Sequence, residues 1–486
     1  MSTDPSERSM RANPRPMYLA GRWVTSDDAL PVPSTSDPSR LAGKTYRATA
    51  QQYDEAVDAA VRALHETRKL PGFERGKALR RISAGIMERR VELARLMADE
   101  IGKPIRDSLT EVDRTALTFR LAGEEAERML GEVIPLDLVE SSRGRVGITR
   151  RFPVGPIAAI SPFNLPLSLA AHKLAPSIAV GAPIVLKPPS RGALSLLVLA
   201  EIIDAAALPA GAVSILPMSR ELGDRMVEDD RFAMLSFTGS PQVGWDLKRR
   251  AGKKRVTLEL GGNAGAIVDA SADLDRAVDR TVYGSFKYAG QLCISVQRLY
   301  VHRQLWDAFL ERFEARARAL RVGDPLDETS DVGPMIDENA ARRIRGWLDE
   351  AVAAGGTIRF GGGVDGTYME PTLMTDVPTD ATICTAEAFA PVVVAYPFDE
   401  LDEAVAAVNA SSFGLQAGIF TNDLAGAWRA FHELEVGGVV INDVPTYRMD
   451  NMPYGGVKDS GLGREGLRFA MDEMTENRIL VIVMPS

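Results

Sequence analysis

The chain is predicted to belong to the α/β class, with parallel sheets covered by helices on both faces. Three observations predict this. Strand and helix patterns alternate from about residue 155 to Gly262. A second alternating block begins near Asp275. At 486 residues the chain exceeds one ordinary hydrophobic core, so two large domains are expected.

The elements follow in order. Residues 1–16 are polar and interrupted by proline, lack the apolar centre of a signal peptide, and read as a disordered tail. Residues 17–24 form a short entering strand. Apolar residues recur at helical spacing over 53–64 and 75–97, with charges opposite, and a third helix covers 107–131. Strands are expected over 144–152 and 155–161, the second buried. Strand 183–187 then precedes helix 194–208, strand 213–216 precedes helix 220–228, and strand 234–237 leads into a helix from Ser240. In the second block, 275–288 is helical, 298–301 a strand, 306–320 and 340–354 helices, with strands near Thr357 and Val392. The apolar strand 478–484 at the terminus must be covered, and pairing with another subunit is one way to cover it.

Composition excludes several classes. A net charge of −9 argues against a nucleic-acid-binding surface. No run approaches the roughly 18 apolar residues of a membrane span. Two cysteines, Cys293 and Cys384, make no disulfide framework and fit a reducing cytoplasm. His65, His172, His302 and His432 are scattered without metal-ligand spacing, so no metal is expected.

The most informative stretch is Gly290-Gln291-Leu292-Cys293-Ile294-Ser295, a cysteine in a loop after a helical run. Upstream lies Leu258-Glu259-Leu260-Gly261-Gly262-Asn263, a carboxylate among leucines followed by glycines that let backbone approach a ligand. A thiol nucleophile with a separate general base makes and then hydrolyses a thioester. In Phe237-Thr238-Gly239-Ser240-Pro241-Gln242-Val243-Gly244, Ser240 suits an N-cap and Pro241 the first helical position. That segment is either a simple capped helix or an anion site at the helix N-terminus. Asn164, set between Pro162 and Pro166, is either an oriented amide or the cap of a turn. Lys187, before Pro188-Pro189-Ser190, ends a strand where a ribose or phosphate would lie, or is simply a surface residue. Gly361-Gly362-Gly363-Val364-Asp365-Gly366 satisfies a dinucleotide pattern but opens no helix, and reads as a surface turn.

Together these segments identify the chain as a member of the aldehyde dehydrogenase superfamily, by resemblance from about Met17 to the C-terminus. The resemblance rests on Pro162-Phe163-Asn164, Phe237-Thr238-Gly239-Ser240, Leu258-Glu259-Leu260-Gly261-Gly262, Gly290-Gln291-Leu292-Cys293, Glu387-Ala388-Phe389 and Pro453-Tyr454-Gly455-Gly456-Val457-Lys458. It implies a Rossmann-like cofactor domain (17–135 and 155–260), an α/β catalytic domain (261–445) and a small β oligomerisation element (136–154 and 476–486). A homodimer or homotetramer in the cytoplasm is implied, without nucleic-acid or membrane partners.

By the same resemblance, Cys293 is the nucleophile, Glu259 the general base, and Asn164 with the Cys293 backbone N–H the oxyanion hole. Glu387 holds the nicotinamide ribose and Phe389 packs beside the ring. Gly239, Ser240 and Gly244 belong to the pyrophosphate site, and Lys187 and Ser190 face the adenine ribose. NAD-preferring relatives commonly carry a glutamate where Ser190 stands. Serine does not repel a 2′-phosphate, so NAD or NADP is expected. Ala390 replaces the usual glycine after the Glu-x-Phe motif.

The implied reaction is oxidation of an aldehyde to a carboxylic acid; the rival readings are a CoA-acylating enzyme and a non-catalytic protein of the same fold. Arg114, Leu165, His172, Leu292 and Arg448 fall at substrate-tunnel positions. Two readings of the arginines stand: partners for a small anionic or hydroxylated aldehyde, or surface salt-bridge partners.

Overall fold

Two sheets with parallel centres carry the fold of this computed structural model, which describes residues 13–484. In the eight-stranded sheet, Val213–Ile215, Ile184–Lys187, Ile157–Ile160, Met234–Thr238 and Arg255–Glu259 lie parallel in that spatial order. Met17–Leu19 and Arg22–Val24 extend one edge antiparallel, and Gly461–Leu462 closes the other. The central strands are mostly apolar because both faces are covered; every residue of Met234–Thr238 is buried. The chain runs outward from Ile157–Ile160 in both directions. The strand order therefore reverses beside it, and a crevice opens beyond the carboxyl ends there. Asn164 and the Gly239-Ser240 pair occupy the two loops at this reversal.

The seven-stranded sheet places Ala264–Val268 between Val296–His302 and Gln416–Phe420, all parallel. Cys293 precedes Val296–His302, so its loop lies at an amino end of this sheet and faces the crevice of the first. Contacts between the loops establish that meeting: a Cβ on Gly262 would collide with the Cys293 carbonyl oxygen. The third sheet is antiparallel, with Thr475–Val483 paired along its length to Arg145–Pro153, and Val133–Pro135 beyond.

Several elements differ from expectation. Residues 1–12 of the expected tail lie outside the described residues, but Arg15 is anchored. Its N–H donates to the Lys44 carbonyl at 2.9 Å and its guanidinium meets Glu201 at 2.8 Å. The entering strand is a hairpin turned at Ala20-Gly21. The single helix expected over 75–97 is two, Gly72–Glu88 and Arg90–Ile101, broken at Arg89 (φ −104°, ψ 22°). The helix Pro166–Val180 was not anticipated. All its residues are buried, so no polar face marks a period of 3.6. Residues beyond 445 return to the first sheet: Gly461–Leu462 pairs with Arg255–Glu259, and the Leu467–Glu473 helix packs on Pro166–Val180. Among the described residues, no helix is long and apolar enough to cross a membrane, and no group of His, Cys, Asp and Glu is arranged to hold a metal.

Candidate active site

The Cys293 loop is built on unusual backbone. After the helix Leu274–Phe286, Tyr288 (φ 49°, ψ 44°) and Ala289 (φ 52°, ψ 34°) adopt left-handed conformations, and Gly290 follows at φ 65°. Two successive non-glycine residues there cost of order 1–3 kcal/mol each and persist because packing over-determines them. Tyr288 is fully buried, its hydroxyl donating to the Ile101 carbonyl at 3.0 Å. A side chain at Gly290 would strike the Ala390 backbone. The result is a thiol held at the wall of a narrow cleft.

Asn164 and Glu259 reach the same place from the first sheet. Asn164 is buried and its Nδ2 donates to the Gln291 carbonyl at 2.9 Å, two residues before Cys293. The loop carrying it is tied down by a buried pair, Lys103 and Glu111. Lys103 Nζ donates to the Asn164 carbonyl at 3.3 Å, while Glu111 accepts the N–H groups of Leu167 and Ser168 at 3.0 and 3.1 Å. A carboxylate on the first turn of Pro166–Val180 satisfies donors the helix leaves open and complements its dipole.

Glu259 ends its strand fully desolvated, and neither carboxyl oxygen has a hydrogen-bond partner. Burial, followed by the nearby negative Glu465, pushes its pKa well above the usual carboxylate range. It lies against Gly455, where a Cβ would approach its Oε1 to 2.8 Å. The next residue back, Tyr454, places its hydroxyl 3.3 Å from Cys293 Sγ. Burial pushes the Cys293 thiol up to about 12; the Tyr454 hydrogen bond opposes this.

Four residues that no motif role covered complete the electrostatics. Glu465 pairs with Lys173 at 3.1 Å and Arg448 at 3.0 Å; Glu465 and Lys173 are buried, and the Arg448 side chain is 6% exposed. Burial works upward on Glu465, but Lys173 and Arg448 outweigh it and hold the carboxyl at about 2. Asp450 joins His172 at 3.0 Å and Arg114 at 2.7 Å. The only advance signal was for Tyr454, which stands inside a motif of the resemblance.

Arg114 and Arg448 are ion-paired, yet neither is a surface pair: both line the cleft with Cys293, and Arg448 stacks 3.7 Å from the Tyr454 ring centroid. Arg448 Nε is buried without a partner. Leu165, Leu292 and His172 also line this cleft.

A second, open cleft of about 1750 Å³ lies beyond the carboxyl ends of the first sheet, lined by Lys187, Ser190, Arg220, Phe237, Gln242 and Arg249. Burial lowers the Lys187 pKa, and among the described residues its ammonium has no hydrogen-bond acceptor. The helix Pro241–Arg250 opens here with Ser240 at the N-cap, but Ser240 makes no capping bond, contrary to the simple capped-helix alternative. Gly239 sits at the strand end, its N–H donating to the Glu259 carbonyl at 3.0 Å. Gly244, in the first turn of the helix, is buried, and a Cβ there would collide with the Leu260 side chain, so the helix packs closely on the sheet. Glu387 accepts the Gly262 N–H at 3.0 Å, and burial lifts its carboxyl to about 7. Phe389, at φ 53°, meets Phe163 edge-on with centroids 5.9 Å apart.

The loops of the two large sheets thus bring together Cys293, the Asn164 amide and the unpaired Glu259 carboxyl. Residues 23–480 match the aldehyde dehydrogenase family, and the chain belongs to it. It is 42% identical over 469 residues to the 3-sulfolactaldehyde dehydrogenase of Priestia megaterium, covering 96% of this chain and 97% of that one. Aldehyde dehydrogenase 21 from Physcomitrella patens, solved in complex with the reaction product succinate, superposes with a TM-score of 0.95 at 46% identity, covering 97% and 99% of the two chains. Glyceraldehyde-3-phosphate dehydrogenase from Methanocaldococcus jannaschii, complexed with NADP, gives 0.89 at 39% identity, covering 94% and 99%. The chain is an enzyme, an aldehyde oxidoreductase with the α/β fold of that family.

Proposed function

We propose that Cys293, Glu259 and Asn164 carry NAD(P)-dependent oxidation of a small anionic or hydroxylated aldehyde to its carboxylic acid. The observation that carries the reading is Glu259: a buried carboxyl with both oxygens unpaired, one residue's reach from the group that holds the nucleophile. Most buried polar groups are paired, so a carboxyl with both oxygens open is placed to receive a partner during the reaction.

In the mechanism, Cys293 adds as thiolate to the aldehyde carbon, and the alkoxide forms against the Asn164 amide and the Cys293 N–H. A nicotinamide dinucleotide held in the second cleft would supply the acceptor for the hydride whose loss leaves a thioester on Cys293. Glu259 then takes a proton from water, which hydrolyses the Cys293 thioester and frees the thiol. A general base for water argues against the CoA-acylating alternative.

The free Lys187 ammonium and the uncapped N–H groups of the Pro241–Arg250 helix suit the ribose and pyrophosphate of such a cofactor. Ser190, Arg220 and Arg249 line the same cleft without a carboxylate in the Ser190 position, which supports use of NADP. The relative complexed with NADP agrees with that reading. Ser190→Glu is expected to weaken NADP binding at least about tenfold, through repulsion of the 2′-phosphate, and NAD far less. Titration of both cofactors checks it; equal losses would remove Ser190 from the ribose site.

For the substrate, Arg114 and Arg448 supply positive charge above an apolar floor of Leu165 and Leu292, and Arg448 Nε remains free to donate. The sulfonated and dicarboxylic chemistry in the names of two relatives points the same way. The test is Arg114→Met and Arg448→Met assayed with both cofactors on charged and neutral short aldehydes. A charge-assisted contact of ~1.5–3 kcal/mol predicts a loss of about tenfold or more in kcat/KM confined to the charged members. Equal losses on both would return the arginines to a structural role.

The division into cofactor, catalytic and oligomerisation units, and assembly as a homodimer or homotetramer in the cytoplasm, belong to the same proposal. Ile479, Leu480, Val481, Ile482 and Val483 stay 38–64% exposed on a paired strand, an apolar edge suited to a second copy. A monomer in sedimentation at micromolar concentration would exclude that assembly.

A further inference from the structure

One wall of the Cys293 cleft carries polar atoms that neither the proposed chemistry nor the anion contacts use. Ser168 and His172 stand four residues apart on Pro166–Val180 and so share one face of the helix. Both line the cleft and both are almost wholly buried, at 3% and 2% exposure. Ser168 Oγ and His172 Nδ1 have no hydrogen-bond partner.

The chemistry of His172 says what fits there. Its Nε2 lies 3.0 Å from Asp450 Oδ1, and Arg114 holds the same carboxylate at 2.7 Å. Burial, then the neighbouring Arg448 charge, lowers the His172 pKa, and burial's upward pull on Asp450 is outweighed by His172 and Arg114. The ring is thus neutral with its one proton on Nε2, donated to the carboxylate. Nδ1 is left as a lone pair. A lone pair sealed from bulk water repels an anion and accepts an O–H. Ser168, one turn earlier, both donates and accepts.

We infer that Ser168 and His172 form a hydroxyl-reading subsite, selecting short aldehydes that carry a hydroxyl group on the carbon chain over their deoxy counterparts. The inference rests on the proposed aldehyde oxidation at Cys293 and divides the cleft's labour: Arg114 and Arg448 face negative charge, and His172 with Ser168 faces a hydroxyl. The subsite would separate hydroxylated substrates from a plain dicarboxylic semialdehyde, which no arginine achieves.

The experiment compares kcat/KM for lactaldehyde and propanal, which differ by one hydroxyl, in the wild type, Ser168→Ala and His172→Gln. His172→Gln keeps a donor for Asp450 at the former Nε2 position and removes the Nδ1 acceptor. The wild type is expected to favour lactaldehyde by about tenfold or more. His172→Gln should reduce that ratio to within about threefold of unity, and Ser168→Ala should reduce it by about threefold. Because the Ser168 N–H bond to Glu111 is a backbone bond, Ser168→Ala leaves the helix cap in place and tests the subsite even if His172→Gln fails to fold. An unchanged ratio in Ser168→Ala and in any folded His172→Gln, or a wild-type ratio near unity, overturns the subsite while leaving aldehyde oxidation standing. Failure of the wild type to oxidise either aldehyde, or any of the charged ones, overturns the parent reading and the subsite with it.

Discussion

Cys293→Ala is expected to lower aldehyde oxidation by about 10⁴-fold or more, since removing a nucleophile eliminates the covalent route and leaves only binding and oxyanion stabilisation. Binding of NAD or NADP should stay within about twofold, because Lys187, Ser190 and the Pro241 helix end line a different cleft. Removing Sγ leaves the Tyr454 hydroxyl without that contact, a loss of about 1 kcal/mol that stability measurements accommodate. The resting thiol is protonated, since burial pushes it up to about 12. The wild-type rate should therefore rise with pH as a proton acceptor becomes available. Steady-state turnover and cofactor titration on the same preparation check the claim. A variant that keeps more than about 1% of wild-type activity would rule out the thioester route.

What the sequence made legible depended on whether a feature was local. The alternation of strands and helices is local, and it carried the parallel sheets; the strand order, with the reversal that opens the crevice, depends on pairings between distant segments. The glycine-flanked cysteine and the leucine-flanked glutamate were legible for the same reason: each is odd within its own few residues. Pro166–Val180 was not legible, because a helix buried on every side has no amphipathic period, and it is the helix that presents Ser168, His172 and Lys173. The break at Arg89 is a change in one residue's backbone within continuous apolar spacing. The close packing of Gly244 on Leu260 is a contact between separate elements that the local motif does not announce. Least legible were the long-range pairs. Lys173 with Glu465, and His172 with Asp450, join residues far apart in the chain, and nothing near either partner in sequence announces the other.

Burial first, then the Glu465 charge from the first of those pairs, raises the Glu259 pKa, and the second large effect follows from it. Glu259→Gln is expected to slow thioester hydrolysis by about 10²–10⁴-fold while leaving the first hydride transfer intact. Rapid mixing should then show a burst of about one reduced cofactor per site followed by slow turnover. The pH dependence follows from burial and Glu465, which raise the Glu259 pKa well above the usual range. The base is active only as carboxylate, so wild-type hydrolysis should rise with pH through that raised value, and the variant should lose this limb. Stability runs in the opposite sense. A carboxyl whose folded pKa exceeds its unfolded value of about 4.3 contributes stability below the unfolded value, lost as pH rises through the folded one. Relative to the wild type, Glu259→Gln should therefore gain stability as pH increases, because the amide never has to be ionised in the core. Denaturant unfolding at several pH values measures the second trend and stopped-flow absorbance the first. Progress without a burst, together with an unaltered pH profile, would place the base for water elsewhere than Glu259.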